Sequence, residues 1–365
     1  MKKSILFILS SEKLSGGEKV ALDIAKGLKN EFDFIFFLPQ KPQKEFEEEL
    51  KDFRIYFPPK KSFLEIIKSL KKIIFDFQFS IINVHGTRAS VFLKLVLFLT
   101  LRKDFKFVYT LHGIHFIRRK FPFNLIFLIW EIITNYLFVD YLICVGKDDY
   151  DLVNKLKLIK KNKLFLIENG INLQGYQNTE SGFLRRNFNL QDEIIITTIC
   201  RLHYQKDVET LIKSINLLRN ENIILFIVGD GPDMKKLKNL IERLKLENKI
   251  IFLGFKKEVE EILQDSDIFV LSTRWEGLPL VILEAWAMKK PVIASAVHGI
   301  KGLIKDEENG ILFNFGDPED LKDKILLLLK DQNLKTKIAE NGFKLVQEKY
   351  NIENMIVKYK KIYLD

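Results

Sequence analysis

Cysteine is almost absent from the sequence. Only Cys144 and Cys200 occur among the 365 residues, and each lies inside an apolar run. Two thiols are too few for a disulfide framework or a cysteine-based metal site. They are expected to be buried thiols of a protein from a reducing compartment.

The sequence also lacks an uncharged apolar run of the about 20 residues that a membrane-spanning helix requires. The most apolar segment, residues 121–146, is interrupted by Glu131 and Asp140. We interpret it as an amphipathic-to-buried helix followed by a core strand at residues 141–145. Residues 4–9 are apolar but too few for the core of a signal peptide, so they are interpreted as the first buried strand.

Acidic residues are too few to balance the basic ones in the first half of the chain. Residues 1–175 hold 29 Lys and Arg against 19 Asp and Glu, whereas residues 176–365 hold 29 of each class. The excess is densest in residues 51–120, which include Arg102-Lys103 and Arg118-Arg119-Lys120. A basic surface attracts anionic lipid headgroups by about 1 kcal/mol per side chain, and an ordinary solvated face is the open alternative. No nucleic-acid-binding motif accompanies the charge, so nucleic acid is not an expected partner.

Apolar residues are abundant enough for two cores. They make up 47% of a chain whose length is typical of two domains. Short β-branched runs alternate with helical patterns, which predicts an α/β fold with doubly wound parallel sheets. The expected strands are residues 4–9, 34–38, 81–84, 106–110, 141–145, 164–167, 194–199, 223–228, 250–253, 268–271, 292–295 and 310–313.

The same alternation predicts the domain boundaries. It pauses in the polar residues 173–191, which are interpreted as a linker between a Rossmann-like N-terminal domain, residues 1–172, and a Rossmann-like C-terminal domain, residues 192–351. Residues 352–365 carry apolar side chains at helical spacing and predict a final packed helix. Further helices are expected at residues 19–28, 208–218 and 234–244.

The most informative segment for function contains two glutamates. Glu276 and Glu284 lie eight positions apart around the turn Gly277-Leu278-Pro279-Leu280, just before and within a predicted helix. The free backbone N–H groups of a helix N-terminus favour a phosphate. An ionised carboxylate accepts hydrogen bonds from ribose hydroxyls. A nucleotide-sugar has both parts, and a cleft between two doubly wound domains is the expected place for it.

Two turns of the first half carry further candidates. Gly16-Gly17 follows the first strand and would let backbone N–H groups approach a phosphate or sugar, with a plain turn equally open. His112 directly follows a strand and precedes Gly113, a position suited to hydrogen bonding or proton transfer. It ranks above His115, His85, His203 and His298, and a histidine satisfied within its loop is the alternative.

In the second half, Arg201 and Lys206 lie five residues apart after a strand. A guanidinium and an ammonium in one loop would neutralise a diphosphate leaving group. The turn Gly229-Asp230-Gly231-Pro232 is a weak phosphate-loop signal by itself. The acidic run Asp148-Asp149-Tyr150-Asp151 superficially suggests a metal motif, but it is interpreted as a helix start. No metal or other cofactor is therefore expected.

Together these segments resemble the retaining glycosyltransferases of family 4, also called glycosyl transferases group 1, which have the GT-B architecture of two Rossmann-like domains facing a central cleft. The resemblance covers nearly the whole chain. It rests on SGGEKVALDIAKGL, YTLHGIH, LIENGIN, ICRLHYQKDVETLI, FIVGDGPDMKKL, IIFLGF and STRWEGLPLVILEAWA.

The resemblance implies a role for each matching position. His112 matches a histidine that contacts the donor sugar, Arg201 and Lys206 match residues that hold the diphosphate, and Glu276 matches a glutamate near the transferred sugar. Glu284 matches a residue that binds the ribose hydroxyls. Backbone positions that match donor-contacting or acceptor-contacting residues are Gly16, Gly17, Gly277, Leu278 and Leu280. Two departures are Cys200 and Asp207, where the family usually has glycine, and a third is His298-Gly299-Ile300-Lys301-Gly302, where it often has Gly-Gly-x-x-Glu.

The resemblance also implies a reaction. The expected activity is metal-independent transfer of a sugar, with retention, from a UDP-sugar to a glycan or lipid-linked acceptor; GDP- and ADP-sugars stay open as donors. The basic first half indicates a peripheral location at the cytoplasmic face of an anionic membrane. The alternatives are a nucleotide-sugar epimerase or phosphorylase of the same fold, and a non-catalytic glycan- or membrane-binding protein on a transferase scaffold. A phosphorylase would need a cofactor lysine site, which the sequence does not offer.

Overall fold

Each half of the chain forms one parallel β-sheet whose strands are connected by helices. The structure is a computed structural model that describes residues 2–100, 103–114, 121–176 and 181–365. It divides into a first unit, Met1–Asn169 with Ile352–Asp365, and a second unit, Gly170–Asn351. Residues 173–191, for which the sequence predicted a linker, therefore fall inside the second unit.

The first unit contains seven strands. They are β1 Lys3–Ile8, β2 Phe32–Phe37, β3 Arg54–Tyr56, β4 Ile81–His85, β5 Lys106–Leu111, β6 Tyr141–Cys144 and β7 Leu164–Leu166. All neighbours are parallel in the order β3-β2-β1-β4-β5-β6-β7. The central strands are buried on both faces because helices cover the sheet on each side. The connecting helices are α1 Gly16–Leu28, α2 Lys44–Glu49, α3 Phe63–Asp76, α4 Thr87–Thr100, α5 Phe123–Phe138 and α6 Lys147–Lys155.

The second unit repeats this plan with six strands. They are β8 Ile194–Ile199, β9 Ile223–Val228, β10 Ile250–Gly254, β11 Ile268–Leu271, β12 Val292–Ser295 and β13 Ile311–Phe313. Their order is β10-β9-β8-β11-β12-β13, again parallel throughout. Its helices are α7 Phe183–Phe188, α8 Val208–Leu217, α9 Met234–Leu244, α10 Glu260–Asp265, α11 Leu280–Ala287, α12 Pro318–Lys330 and α13 Gln332–Glu348.

The last helix, α14 Ile352–Leu364, belongs to the first unit. Its buried Tyr363 hydroxyl accepts a 2.7 Å hydrogen bond from Asn83 Nδ2, and the Tyr359 hydroxyl donates to Thr110 at 3.4 Å. Helix α1 approaches α14 closely, since a Cβ at Gly27 would lie 2.2 Å from Ile356 Cδ1. The sheet and α1 thus hold the final helix by both polar and apolar contacts.

The predicted doubly wound α/β class is confirmed in both halves. Four strands, β8, β9, β11 and β12, agree with their predicted bounds residue for residue. The edge strand β3 was missed because only three half-exposed residues form it. Helix α7 was missed inside the predicted linker; the Asp265 carboxylate accepts hydrogen bonds from the backbone N–H groups of Gly182 and Leu184 and fixes its start.

The apolar segment at residues 121–146 does form a helix, α5, followed by strand β6. The expected burial of that helix is wrong for one face, where large apolar side chains are exposed. Of the helices in the described parts of the chain, none has the length and apolar character to cross a bilayer. In the predicted basic patch, Lys103 pairs with Asp140 at 2.5 Å, whereas Arg102 and residues 118–120 lie outside the described residues.

Candidate active site

In the second unit, hydrogen bonds fasten the loop after β8 to the loop after its neighbour β11. The Gln205 carbonyl accepts from the Arg274 N–H at 2.8 Å, and Gln205 Nε2 donates to the Trp275 carbonyl at 2.8 Å. Ser272 Oγ donates to the Asp207 carbonyl at 3.1 Å. The two strand ends therefore form one frame, which we call the β8–β11 frame, from residues 203–207 and 272–276.

The β8–β11 frame brings together two of the predicted site residues. Lys206 Nζ lies 2.6 Å from Glu276 Oε1, and the two side chains keep only 17% and 8% of their surface exposed. Charge-assisted hydrogen bonds are stronger than neutral ones, above all where water is scarce. An ammonium has three donors, so Lys206 can hold the carboxylate and still donate to a second anion.

The loop after β12 supports the backbone of Glu276. Ser295 Oγ accepts from the Thr273 N–H at 3.0 Å, and the Glu276 N–H donates to the His298 carbonyl at 3.1 Å. Gly299 has a φ of +85°, and a Cβ there would lie 2.1 Å from the Glu276 carbonyl oxygen. The segment that departs from the family pattern thus has a packing role at the site.

Asp207, another departure, occupies a backbone position that favours glycine. Its φ is +46°, which costs an L-residue about 1–2 kcal/mol. Its carboxylate accepts from Thr210 Oγ1 at 2.8 Å and pairs with Arg274 Nη2 at 2.6 Å. Burial raises the pKa of Asp207, while the bonds from Thr210 and Arg274 lower it. These bonds offset the backbone strain that glycine would avoid.

Sequence reasoning did not single out Arg274. Its guanidinium lies over the Tyr204 ring at 4.2 Å and over the Phe315 ring at 5.0 Å, and it donates to the Tyr204 carbonyl. It thereby ties the β8–β11 frame to the loop after β13. The signal in the sequence is only its position two residues before Glu276, and nothing local indicates its partners.

Arg201 lies in the same loop as Lys206 and is exposed. No hydrogen bond or ion pair joins its guanidinium to any other residue within the described ranges. The turn after β9 holds the backbone next to Arg201. The Leu202 N–H donates to the Asp230 carbonyl at 2.9 Å, and a Cβ at Gly231 would lie 2.1 Å from the Leu202 carbonyl oxygen. The turn Gly229-Asp230-Gly231-Pro232, considered as a weak phosphate loop, therefore serves close backbone packing.

Gly277, Leu278 and Pro279 lead into α11, whose first residue is Leu280. Leu278 and Leu280 are both buried. Glu284 follows in the second turn of the helix and is buried as well. The loop, the helix N-terminus and the two glutamates thus belong to one continuous segment of the second unit, as the sequence predicted.

The first unit has its own pocket of about 700 Å³ at the carboxyl ends of β1, β4 and β5. Gly16 begins α1, and Gly17 lies against the His112 ring, because a Cβ there would be 3.2 Å from His112 Cδ2. The neighbouring Glu18 is buried and accepts hydrogen bonds from Ser15 and from Ser10, the latter at 3.2 Å. Burial raises the pKa of the Glu18 carboxyl, and the bond from Ser15 lowers it.

A second histidine of the pocket, His85, was ranked below His112. Its Nδ1 lies 3.1 Å from His112 Nε2, and the two rings stack with centroids 5.3 Å apart. Burial, and then the neighbouring His112, hold the pKa of His85 well below its usual value. The sequence did contain a signal: His85 ends β4, His112 directly follows β5, and each precedes a glycine with positive φ, Gly86 or Gly113.

The rest of this pocket combines basic and apolar side chains. Lys61 and Arg88 line it together with the apolar Phe63, Phe92 and Phe127. The helices α1 and α4 both begin at its edge, so their N-terminal N–H groups add partial positive charge. The pocket thus suits a ligand that is anionic at one end and apolar at the other.

The acidic run at residues 148–151 lies in the first two turns of α6. Asp149 Oδ1 accepts from the Ile114 N–H at 3.2 Å, which ties α6 to the loop after β5. Within the described ranges, His, Cys, Asp and Glu nowhere gather in groups of three that could hold a metal ion.

Known protein families match both halves of the sequence, and known structures match the fold. The family described as Glycosyltransferase Family 4 matches residues 14–174, and the family described as Glycosyl transferases group 1 matches residues 181–345. The crystal structure of HepE from Anabaena in complex with UDP-glucose is similar over 98% of both chains, with a TM-score of 0.85 and 20% identity.

Two relatives from Escherichia coli are 27% identical to the chain. One is a UDP-Gal:alpha-D-GlcNAc-diphosphoundecaprenol alpha-1,3-galactosyltransferase, aligned over 84% of this chain and 79% of its own length. The other is the O-antigen biosynthesis glycosyltransferase WclY, aligned over 98% and 97%.

Two parallel sheets with alternating helices, similar over nearly the whole chain to the HepE structure, define a GT-B fold. With one matching family for each half, the chain belongs to the family 4-like glycosyltransferases. The resemblance drawn from the sequence is thereby confirmed. The roles of the individual site residues stay predictions.

Proposed function

We propose that this glycosyltransferase moves a sugar, with retention of configuration, from a UDP-sugar to a lipid-linked glycan during synthesis of a cell-surface polysaccharide or lipopolysaccharide. The observation that carries the proposal is the Lys206–Glu276 pair, held at 2.6 Å in the β8–β11 frame. The name of the galactosyltransferase relative and the UDP-glucose bound to HepE support the UDP-sugar donor, and the same relative's name supports the lipid-linked acceptor. The name of WclY supports a role in polysaccharide synthesis.

The second unit supplies the chemistry at the leaving group. Cleavage of the sugar C1–O bond leaves a diphosphate anion, and fixed positive groups at that anion lower the barrier most. Arg201 and Lys206 are the proposed groups, with Lys206 bridging Glu276 and a phosphate oxygen. We propose that these two cations make a divalent metal unnecessary.

The segment from Glu276 to Glu284 positions the donor. We propose that the backbone of Gly277, Leu278 and Leu280 meets the phosphate or the sugar, and that Glu284 accepts hydrogen bonds from the ribose hydroxyls. Glu276 lies near the transferred sugar and stabilises the positive charge that develops at C1. The acceptor hydroxyl attacks C1 from the face of the sugar that the diphosphate leaves, and the departing phosphate oxygen takes the proton of that hydroxyl.

The pocket of the first unit is the proposed acceptor site. Lys61, Arg88 and two helix N-termini suit a diphosphate, and Phe63, Phe92 and Phe127 suit the start of a lipid chain. His112, with Gly16 and Gly17 beside it, is the proposed contact to a sugar. Since lipid-linked acceptors lie in a bilayer, we place the enzyme peripherally at the cytoplasmic face of an anionic membrane.

A thermal-shift panel of UDP-, GDP- and ADP-sugars with EDTA present tests the donor proposal. A ligand that binds only the folded state raises its melting temperature by mass action. We expect a rise with a UDP-sugar alone, and a smaller rise for Lys206→Met. Selective stabilisation by GDP- or ADP-sugars would contradict the choice of nucleotide, and a shift only when a divalent metal replaces EDTA would contradict metal independence.

Acceptor dependence separates transfer from epimerisation. We expect UDP to be released from the donor many times faster when a sugar-diphospho-lipid is added. Conversion of the donor sugar into its epimer without any acceptor would instead indicate an epimerase. Donor binding without turnover, with either acceptor or water, would indicate a binding protein.

A further inference from the structure

Helix α5 exposes a continuous apolar face. The exposed side chains recur every three or four positions, so they lie along one side of the helix. Isolated exposed apolar residues are normal, whereas a contiguous apolar patch along one helix face indicates an interaction surface. We call it the α5 outer face; it consists of Phe123, Leu125, Ile126, Ile129, Ile133 and Leu137.

No charge interrupts the α5 outer face. The helix has no basic residue, and its single acidic residue, Glu131, faces inwards. There Glu131 Oε2 lies 2.9 Å from Lys94 Nζ, with both side chains almost fully buried. The Lys94 ammonium also lies 4.9 Å from the centre of the Tyr109 ring. The core thus neutralises the only charge that α5 carries, which leaves its outer side entirely uncharged.

The neighbouring helix α4 extends this surface. Phe98 and Leu99, near its C-terminal end, are exposed, and the Phe98 ring lies 6.3 Å from the Trp130 ring of α5. Basic residues flank both segments in the sequence: Arg102 and Lys103, of which Lys103 is paired with Asp140, follow α4, and Arg118-Arg119-Lys120 precedes α5. An apolar helix face with basic flanks is the pattern of helices that lie in the interface of an anionic bilayer.

We infer that the α5 outer face inserts into the headgroup region of an anionic lipid bilayer. Helix α5 has 16 residues, too few to cross a membrane but enough to lie along its surface. Phe127 of the same helix lines the pocket of the first unit, so the apolar wall of that pocket adjoins the lipid-facing helix. The inference rests on the membrane association in the proposed function and assigns the surface that produces it.

Vesicle flotation of the full chain tests the inference. The probes are vesicles of phosphatidylcholine alone and vesicles with about one third phosphatidylglycerol. The test variant is Ile129→Gln with Ile133→Gln, because glutamine keeps helix propensity while removing the apolar surface. The matched control is Leu217→Gln with Val357→Gln, two apolar helical residues that are also 41% and 51% exposed.

We expect the wild type and the control to float with the anionic vesicles. Partitioning of the test variant should fall roughly tenfold or more, because two large side chains no longer leave water. Quenching of Trp130 fluorescence by brominated lipid, lost in Trp130→Phe, should locate α5 in the interface. Equal flotation of test and control variants would overturn the inference, as would a wild-type chain that never floats.

A dimer that buries the same face is the competing outcome. Light scattering that shows a wild-type dimer and a monomeric test variant, without a flotation difference, would overturn the bilayer inference.

The UDP-sugar thermal shift distinguishes failure of the membrane inference from failure of the proposed function, since α5 belongs to the first unit and the β8–β11 frame to the second. We expect the test variant to keep the wild-type shift, so loss of flotation with an intact shift affects only the membrane surface.

Discussion

Removal of the Lys206 charge should separate a catalytic role from a structural one. In Lys206→Met the Glu276 carboxylate, whose side chain is 8% exposed, loses its cation at 2.6 Å. Breaking a buried pair costs about 3–5 kcal/mol. Since the Lys206 side chain keeps 17% of its surface exposed, we expect a loss of about 2–3 kcal/mol in the free energy of unfolding.

The loss of activity should be larger and of different origin. One fixed donor at a developing negative charge contributes about 3–4 kcal/mol, so kcat should fall about 10²–10³-fold. Turnover is followed as UDP release in the presence of acceptor, and stability by chemical denaturation. Lys213→Met is the control, because its pair with Glu209 is half-exposed and should contribute less than about 1 kcal/mol.

The double variant Lys206→Met with Glu276→Gln decides between the two roles. The double variant has no buried charge without a partner, so its free energy of unfolding should return to within about 1 kcal/mol of the wild type. Turnover should stay low because the leaving group still lacks its cation. A double variant that regains turnover, or a Lys206→Met rate within about threefold of the wild type, would contradict a catalytic role for Lys206.

Three further predictions concern the surroundings of both sites. Burial holds the pKa of His85 well below 6.5, so at low pH the unfolded chain binds a proton that the folded chain does not. The free energy of unfolding should therefore fall as the pH drops below about 6.5, by at most about 1.4 kcal/mol per pH unit. Denaturation at several pH values should show a shallower fall for His85→Gln, and an equal fall would contradict this role. Gly299→Ala should lose stability and turnover, because the new Cβ would clash with the Glu276 carbonyl. The control Gly316→Ala has a φ of +75° and no atom within 4 Å of the new Cβ, so its free energy of unfolding should fall by only about 1 kcal/mol. Equal losses in the two variants would show that backbone strain alone is responsible. The free energy of unfolding should be about 1 kcal/mol higher for Asp207→Gly than for Asp207→Ala. Both variants lose the bonds to Thr210 and Arg274, but only glycine relieves the backbone strain. The opposite order in denaturation would argue against strain at this position.

Local patterns in the sequence were sufficient for most of the fold. Buried parallel strands are continuous apolar runs between turn signals, so β8, β9, β11 and β12 could be bounded residue for residue. Strand β3 was missed because only three half-exposed residues form it, and helix α7 was missed because a distant contact stabilises it. The Asp265 carboxylate that holds the start of α7 lies more than 80 residues along the chain from Gly182.

The sequence singled out residues of the candidate site but not the contacts that join them, and the roles of those residues stay predictions. Lys206 and Glu276 were singled out separately; their contact was not predicted, because it depends on β8 and β11 being neighbours in the sheet. The bonds of Arg274 to Asp207 could not, because a half-buried pair 67 residues apart leaves no periodic trace. His85 was underrated although its strand-histidine-glycine pattern repeats that of His112.

The central claim is transfer of a sugar from a UDP-sugar to a lipid-linked acceptor with retention. NMR of the product formed from a UDP-α-sugar, a GlcNAc-diphospho-lipid and the enzyme in EDTA tests it most directly. The account predicts an α-linked product, formed about 10²–10³-fold more slowly by Lys206→Met. A β-linked product, or transfer that proceeds only after a divalent metal is restored, would contradict it.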